Sequence, residues 1–458
     1  MKKLIGNRQF YKMVLTVAVP IMIQNGITNF VNLLDNIMVG QVGTVQMSGV
    51  AIVNNLIFVY NLCIFGAISG AGIFGAQFYG KKNYEGVRNT FRFKCMISAF
   101  LLLIAAAIFL LCGGSLISLY LKGDGTMEDI ASTLYYGKEY MHIMLIGFIP
   151  FTMVQIYSST LRECSETFVP MVAGVVAVLV NLIFNYILIF GHFGAPQLGV
   201  AGAACATVIS RFVECGITVI WTHSHKQRNP FIVHAYRSLK IPGTLVWQII
   251  KKGTPLLINE ALWAAGLAAL NQCYSYRGLE VVAGQNISST VANLFNVVYF
   301  ALGNSVSIII GQLLGAGKME EAVDKDRKLI FFSVAVCFVV GALMALIAPA
   351  FPGLYNTTDS VRNLAADFII VEALFMPVNS FIHASYFTLR SGGKTVVTFL
   401  FDSVYVWMIS VPAAYLLTHF TGMPIIPLYF ACKGLDLIKC VIGFTLLKKR
   451  IWVQNIVG

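Results

Sequence analysis

The stretch PIMIQNGITNFVNLLDNIMVGQVG (residues 20–43) decides the fold. It is mostly apolar and continues an apolar run of membrane-span length, yet it carries Asn25, Thr28, Asn29, Asn32, Asp35 and Asn36. At about 100° per residue these six fall within an arc of roughly 120°. A helix that is polar along one face through lipid must turn that face to a water-filled cavity or to polar groups on other helices. The same stretch opens a repeat. Residues 20–85 align without a gap onto 255–320 at a shift of 235, with 12 identities. Among them Pro20 meets Pro255, Asn36 meets Asn271, Asn61 meets Asn296, Gln77 meets Gln312 and Gly80 meets Gly315. Later, TLRECSET (160–167) aligns with TLRSGGKT (388–395).

The rest of the chain has the same character. Of its 458 residues 57% are hydrophobic and 11% charged, against about 25% charged in soluble proteins. Only helices and closed barrels satisfy their backbone in lipid. The apolar runs here are continuous and lack the alternation of barrel strands. Twelve spans are predicted, near 12–38, 47–75, 91–114, 136–160, 168–191, 199–222, 251–275, 283–314, 328–350, 363–389, 395–419 and 425–447. The fold class is therefore an all-α polytopic membrane protein, twelve transmembrane helices in two pseudo-symmetric six-helix lobes. Residues 1–222 form the N-terminal lobe, 223–250 a cytoplasmic linker with a surface amphipathic helix, and 251–458 the C-terminal lobe. Six spans per lobe is an even number, so the lobes share one orientation and are related by an axis along the membrane normal.

Charge sets the orientation. Of 32 Lys and Arg, 25 fall at the N-terminus, in alternate loops and in the C-terminal KKR, while the opposite loops hold only Lys122, Lys138, Arg277 and Arg362. This bias puts both termini in the cytoplasm of a plasma-membrane protein. The net charge of +12 is then a topology signal, and no nucleic-acid partner is needed. The basic N-terminus precedes an apolar run, Met13–Met38, too long for a secretory signal and without a small-residue cleavage pattern. The ten cysteines sit singly and read as small buried residues. No HExxH, GxSxG or Walker A sequence is present, so the chain reads as neither an enzyme nor an ATP-driven pump, and no cofactor is expected.

Acids inside spans carry the functional signal. Glu214 lies three residues after Arg211, and Asp436 three after Lys433 and three before Lys439; these read as pairs within one helix. Asp35 and Glu260 have no basic residue within helical reach. A desolvated carboxylate takes a proton or binds a cation, which is what an ion-coupled transporter requires. Trp263, three residues after Glu260, offers a ring for a lipophilic cation. The eighth span repeats the polar stripe with Asn286, Ser289, Thr290, Asn293 and Asn296. Glu260, Trp263, Asn286, Asn293 and Asn32 thus form a candidate substrate or second cation site.

The motifs VNLLDNIMVGQVG (31–43), AQFYGKKN (76–83), NLIFNYILIFGHFGAPQLGVAGAACATVIS (181–210) and GTPLLINEALW (253–263), in that order on a six-plus-six frame, resemble the multidrug and toxic compound extrusion (MATE) family. The resemblance covers essentially the whole chain. It implies a V-shaped twelve-helix fold, and export of organic cations, drugs or other amphipathic compounds in exchange for Na+ or H+ through alternating access; a cationic amphipathic small-molecule substrate and a monomer are expected. It also implies an ion-coupling site in the N-terminal lobe, with Asp35 as the Na+ or proton ligand beside Asn181, Asn185 and Thr207. Glu260 matches a glutamate of the norfloxacin-exporter branch. Several members of that branch carry an aspartate where this chain has Asn379, and an amide supplies no charge, which moves the weight to Asp35. A flippase for lipid-linked precursors, of the same superfamily, is the alternative. Such proteins line their cavities with cations, whereas the first, second, seventh and eighth spans here have acids and amides but no Lys or Arg.

Overall fold

The computed structural model describes residues 4–121 and 127–458, less the side chains of Asn32, Leu33, Asn36, Ile37 and Thr44. Lys122 and the Asn32 and Asn36 side chains therefore lie outside the described residues. Every regular element described is helical. Six long helices come first: α1 (Arg8–Gly40), α2 (Thr44–Gly80), α3 (Tyr84–Tyr120), α4 (Met127–Glu163), α5 (Phe168–Phe190) and α6 (Gly199–Ser224). A connection with two short 3-10 turns, Pro230–Ile232 and Ala235–Arg237, follows. These turns replace the expected surface helix. The second series is α7 (Gly243–Ser275), α8 (Leu279–Gly315), α9 (Met319–Ile347), α10 (Asp359–Ser391) and α11 (Thr395–Phe420). Two shorter helices, α12 (Ile425–Gly434) and α13 (Asp436–Lys448), form the twelfth predicted span.

Among the described residues ten helices are long and apolar enough to cross a membrane. The two predicted spans outside that set are α7 and the α12–α13 pair. The first carries Lys251, Lys252 and Glu260, and the second is divided at Leu435. There the Leu435 carbonyl accepts from Ile438 N at 2.9 Å and from the Tyr405 hydroxyl at 2.7 Å. Several helices outrun their predicted spans; α3, expected at 91–114, runs from Tyr84 to Tyr120. Hydropathy sees only the apolar middle of such a helix, whereas its backbone bonds continue into the polar flanks.

The chain divides into two compact units. One comprises residues 23–75 and 84–249, the other 1–22, 76–83 and 250–458. Helix α1 thus passes from one unit to the other after Met22, two residues beyond Pro20, which lacks the N–H to complete its helical bond. In the second unit Phe10, Val14 and Ala18 of α1 pack with Leu302, Val306 and Ile310 of α8. The segment 76–83 is held there by backbone contact. A Cβ on Gly80 would lie 1.9 Å from the Gln312 carbonyl oxygen, and a Cβ on Gly315 would lie 1.9 Å from that of Gln77. The two contacts exchange residues that the repeat equates, so the crossing of α2 and α8 is itself two-fold. Small residues permit such backbone contact. Gly80→Ala or Gly315→Ala should push the helices apart at a cost of about 1–3 kcal/mol. A clearly lowered melting temperature of the detergent-solubilised protein is expected, and an unchanged one would contradict the crossing.

Candidate functional site

In the first unit, α5 and α6 form a tight pair. Gly191, at φ 75°, closes α5 and donates its N–H to Ile187 O. Further along, a Cβ on Gly202 would sit 2.5 Å from Leu188 O, so the two backbones meet. That approach faces Asn181 and Asn185, one turn apart on α5, towards Thr207 on α6. Asp35 of α1 completes the group. Its Oδ1 accepts from Asn185 Nδ2 at 2.6 Å. Asn181 and Asn185 are buried, while Asp35 and Thr207 are half-buried. The structure therefore brings all four expected residues together.

Asn181 satisfies this group with its amide nitrogen towards Asp35: it donates to both carboxylate oxygens, at 2.9 and 3.0 Å, and its oxygen accepts from Thr207 Oγ1 at 3.3 Å. Asn185 Oδ1 is buried with no hydrogen-bond partner, and such orphans are rare. Arg211 of α6 is the positive charge whose field reaches Asp35. It is tied to Glu214 at 3.0 Å, the expected pair within one helix.

The candidate set in the second unit is scattered by comparison. Glu260 Oε1 accepts from the Tyr386 hydroxyl at 3.4 Å. Trp263 and Asn293 line a cavity of about 350 Å³, as does Asn379. Asn286 is exposed and outside that lining. The expected pairing of Asp436 with its helix neighbours is overturned. Lys433 bonds Glu372 of α10 at 2.6 Å, and Lys439 bonds Asp402 of α11 at 2.7 Å. The division at Leu435 interrupts the regular i, i+3 wheel on which that expectation rested. Neither cross-helix partner could be found from spacing, since each lies dozens of residues away.

Fold and site together define a polytopic helical membrane protein with duplicated halves and a polar constellation around a carboxylate inside one of them. The MatE family profile matches residues 20–187 and 255–416, and the chain belongs to that family. A Thermotoga maritima protein named "Probable multidrug resistance protein NorM" is 25% identical over 415 residues, covering 89% of this chain and 86% of its own length. The Bacillus subtilis "Probable multidrug resistance protein YoeA" is 24% identical over 420 residues, with coverages of 89% and 87%. Among solved structures, an outward-facing multidrug resistance MATE family transporter of the MOP superfamily superposes with a TM-score of 0.86 at 18% identity. It covers 100% of this chain and 99% of its own. A mutant of the Vibrio cholerae MATE transporter VcmN gives 0.87 at 17% identity, covering 98% of each. Nothing in these relatives supports the lipid-precursor flippase.

Proposed function

We propose that the protein is a secondary exporter of cationic amphipathic small molecules. It works as a monomer by alternating access in the plasma membrane, with both termini in the cytoplasm, and is driven by inward movement of Na+ or H+. The observation that carries this reading is the Asp35–Asn181–Asn185–Thr207 group. A carboxylate from α1 there meets two amides of α5, one of which also bonds a hydroxyl of α6, so gain or loss of a proton or cation at Asp35 changes the bonds that tie α1 to those helices. The orphan Asn185 Oδ1 favours Na+ as the ion, because a hard cation uses a spare oxygen and a proton on Asp35 does not.

The test is efflux of a fluorescent organic cation from liposomes holding the purified protein, with Na+ and pH gradients imposed one at a time. An inward Na+ gradient is expected to drive export. Transport that ignores both gradients would overturn the reading. A pH gradient alone driving export would keep the exporter and replace the ion.

A further inference from the structure

We infer that a groove between α3 and α4 in the first unit binds an anionic phospholipid, with Lys138 as the residue that recognises its phosphate. The inference is independent of what is exported and of the ion that drives it.

The groove has a volume of about 690 Å³ and is lined by residues between 109 and 119 of α3 and between 134 and 142 of α4. Ten residues of helix rise about 15 Å, half the thickness of the hydrocarbon core, so the groove runs the depth of one leaflet. Its rim is apolar and open: Leu110, Leu111 and Leu119 are all exposed. Among these leucines stand Ser115, Lys138 and His142. None of the three has a hydrogen bond or ion pair among the described residues. Lys138 also departs from the habit of a lysine at a span end, whose stem normally carries the ammonium out to water. Here the stem crosses to α3 at a glycine. A Cβ on Gly114 would lie 2.6 Å from Lys138 Cε and 3.0 Å from its Nζ, so the ammonium lies in the groove because Gly114 leaves it room. The adjacent acid, Glu139, has its field on Cys205 of α6 instead.

A cation set between leucines at the edge of the apolar zone suits an anion that arrives through the bilayer. A phosphate ester provides one and forms strong charge-assisted bonds to an ammonium. The Ser118 hydroxyl donates back to Gly114 O at 2.8 Å, which leaves Ser115 as the hydroxyl for the phosphate. His142 lies one turn deeper than Lys138, about 6 Å along the helix. That is the level of the ester carbonyls, which accept from an imidazole N–H. Phe109 and the exposed leucines then cover the upper acyl chain. A zwitterionic choline head brings its own cation towards Lys138, which selects against it. Free phosphate reaches the polar groups but gains nothing from the apolar rim.

The experiment is native mass spectrometry of the full chain in detergent, counting the molecules retained of phosphatidylglycerol and of phosphatidylcholine with the same acyl chains. Wild type should retain one phosphatidylglycerol that Lys138→Met loses at the same lipid concentration, an affinity drop of at least fivefold. Phosphatidylcholine retention should change less than twofold. Gly114→Ala keeps the charge but pushes the ammonium out of the groove, and it should lose the same lipid. This second variant decides the matter if the first folds poorly. Phosphatidylglycerol retained equally by wild type and by either folded variant overturns the site. A parallel loss of both lipids, or displacement of the phosphatidylglycerol by millimolar inorganic phosphate, overturns the recognition of an anionic lipid head.

Discussion

Asp35→Asn is expected to abolish gradient-driven export while leaving the protein folded. The substitution preserves size and keeps an oxygen for Asn185 Nδ2, which sits 2.6 Å from Asp35 Oδ1. What it removes is the charge. Hydrogen bonds to ionised groups contribute about 1.5–3 kcal/mol each, so the coupling ion should bind about 10- to 100-fold more weakly. Residue 35 then no longer alternates between charged and neutralised forms. Liposome efflux under an imposed Na+ gradient should fall to the rate without one. An unchanged melting temperature would show that the loss is functional. Wild-type coupling in this variant would remove Asp35 from the coupling role.

The second large effect concerns stability. Lys94 is fully buried on α3 and bonds Glu163 Oε1 at 2.6 Å, with Ser159 Oγ at 3.1 Å and Thr160 Oγ1 at 3.0 Å as further acceptors. Glycines of α2 make room for the acid: a Cβ on Gly72 or Gly75 would lie 2.7 or 2.2 Å from a Glu163 oxygen. Lys94→Met leaves that carboxylate buried without its lysine, at a cost of about 3–5 kcal/mol. A typical domain has a margin of only about 5–15 kcal/mol. The single variant should therefore give little monodisperse protein in detergent. Lys94→Met combined with Glu163→Gln removes both charges and should recover much of it. Equal yields from the single variant and wild type would show the pair to be dispensable.

How much of this was legible beforehand depended on range along the chain. Apolar runs and the polar stripe of α1 are local, and they gave the helical membrane fold. The repeat carried more than its identities: Gln77, Gly80, Gln312 and Gly315 are the residues that cross. In the Asp35 group, the wheel put Asn181 and Asn185 on one face of α5, but their meeting with Asp35 and Thr207 came from family likeness, since three helices converge there. What failed was spacing used as a proxy for contact. Lys433 and Lys439 looked committed to Asp436 by position, yet opposite charges on α10 and α11 claim them. Lys94 lies at the edge of the predicted 91–114 span and Glu163 just past 136–160, and nothing local singled them out, because hydropathy does not report that α3 and α4 stay helical past the apolar zone and bury both.

The order of synthesis adds a constraint to the α2 end. The Gln77 side chain is fully buried, and its Nε2 donates to Ser391 O at 2.9 Å and Gln454 O at 3.2 Å. Its Oε1 accepts from Ile456 N at 2.9 Å, a partner 379 residues later in the chain. At about 5–20 residues per second, the ribosome delivers that partner roughly 20 to 75 seconds after Gln77. Until Ser391 is made, 314 residues after Gln77, the amide has none of these three bonds, and the set is complete only with the last of them. Insertion of the early helices and completion of this contact are thus separate events in the protein's biogenesis. The last residues described close a position opened near the beginning of translation.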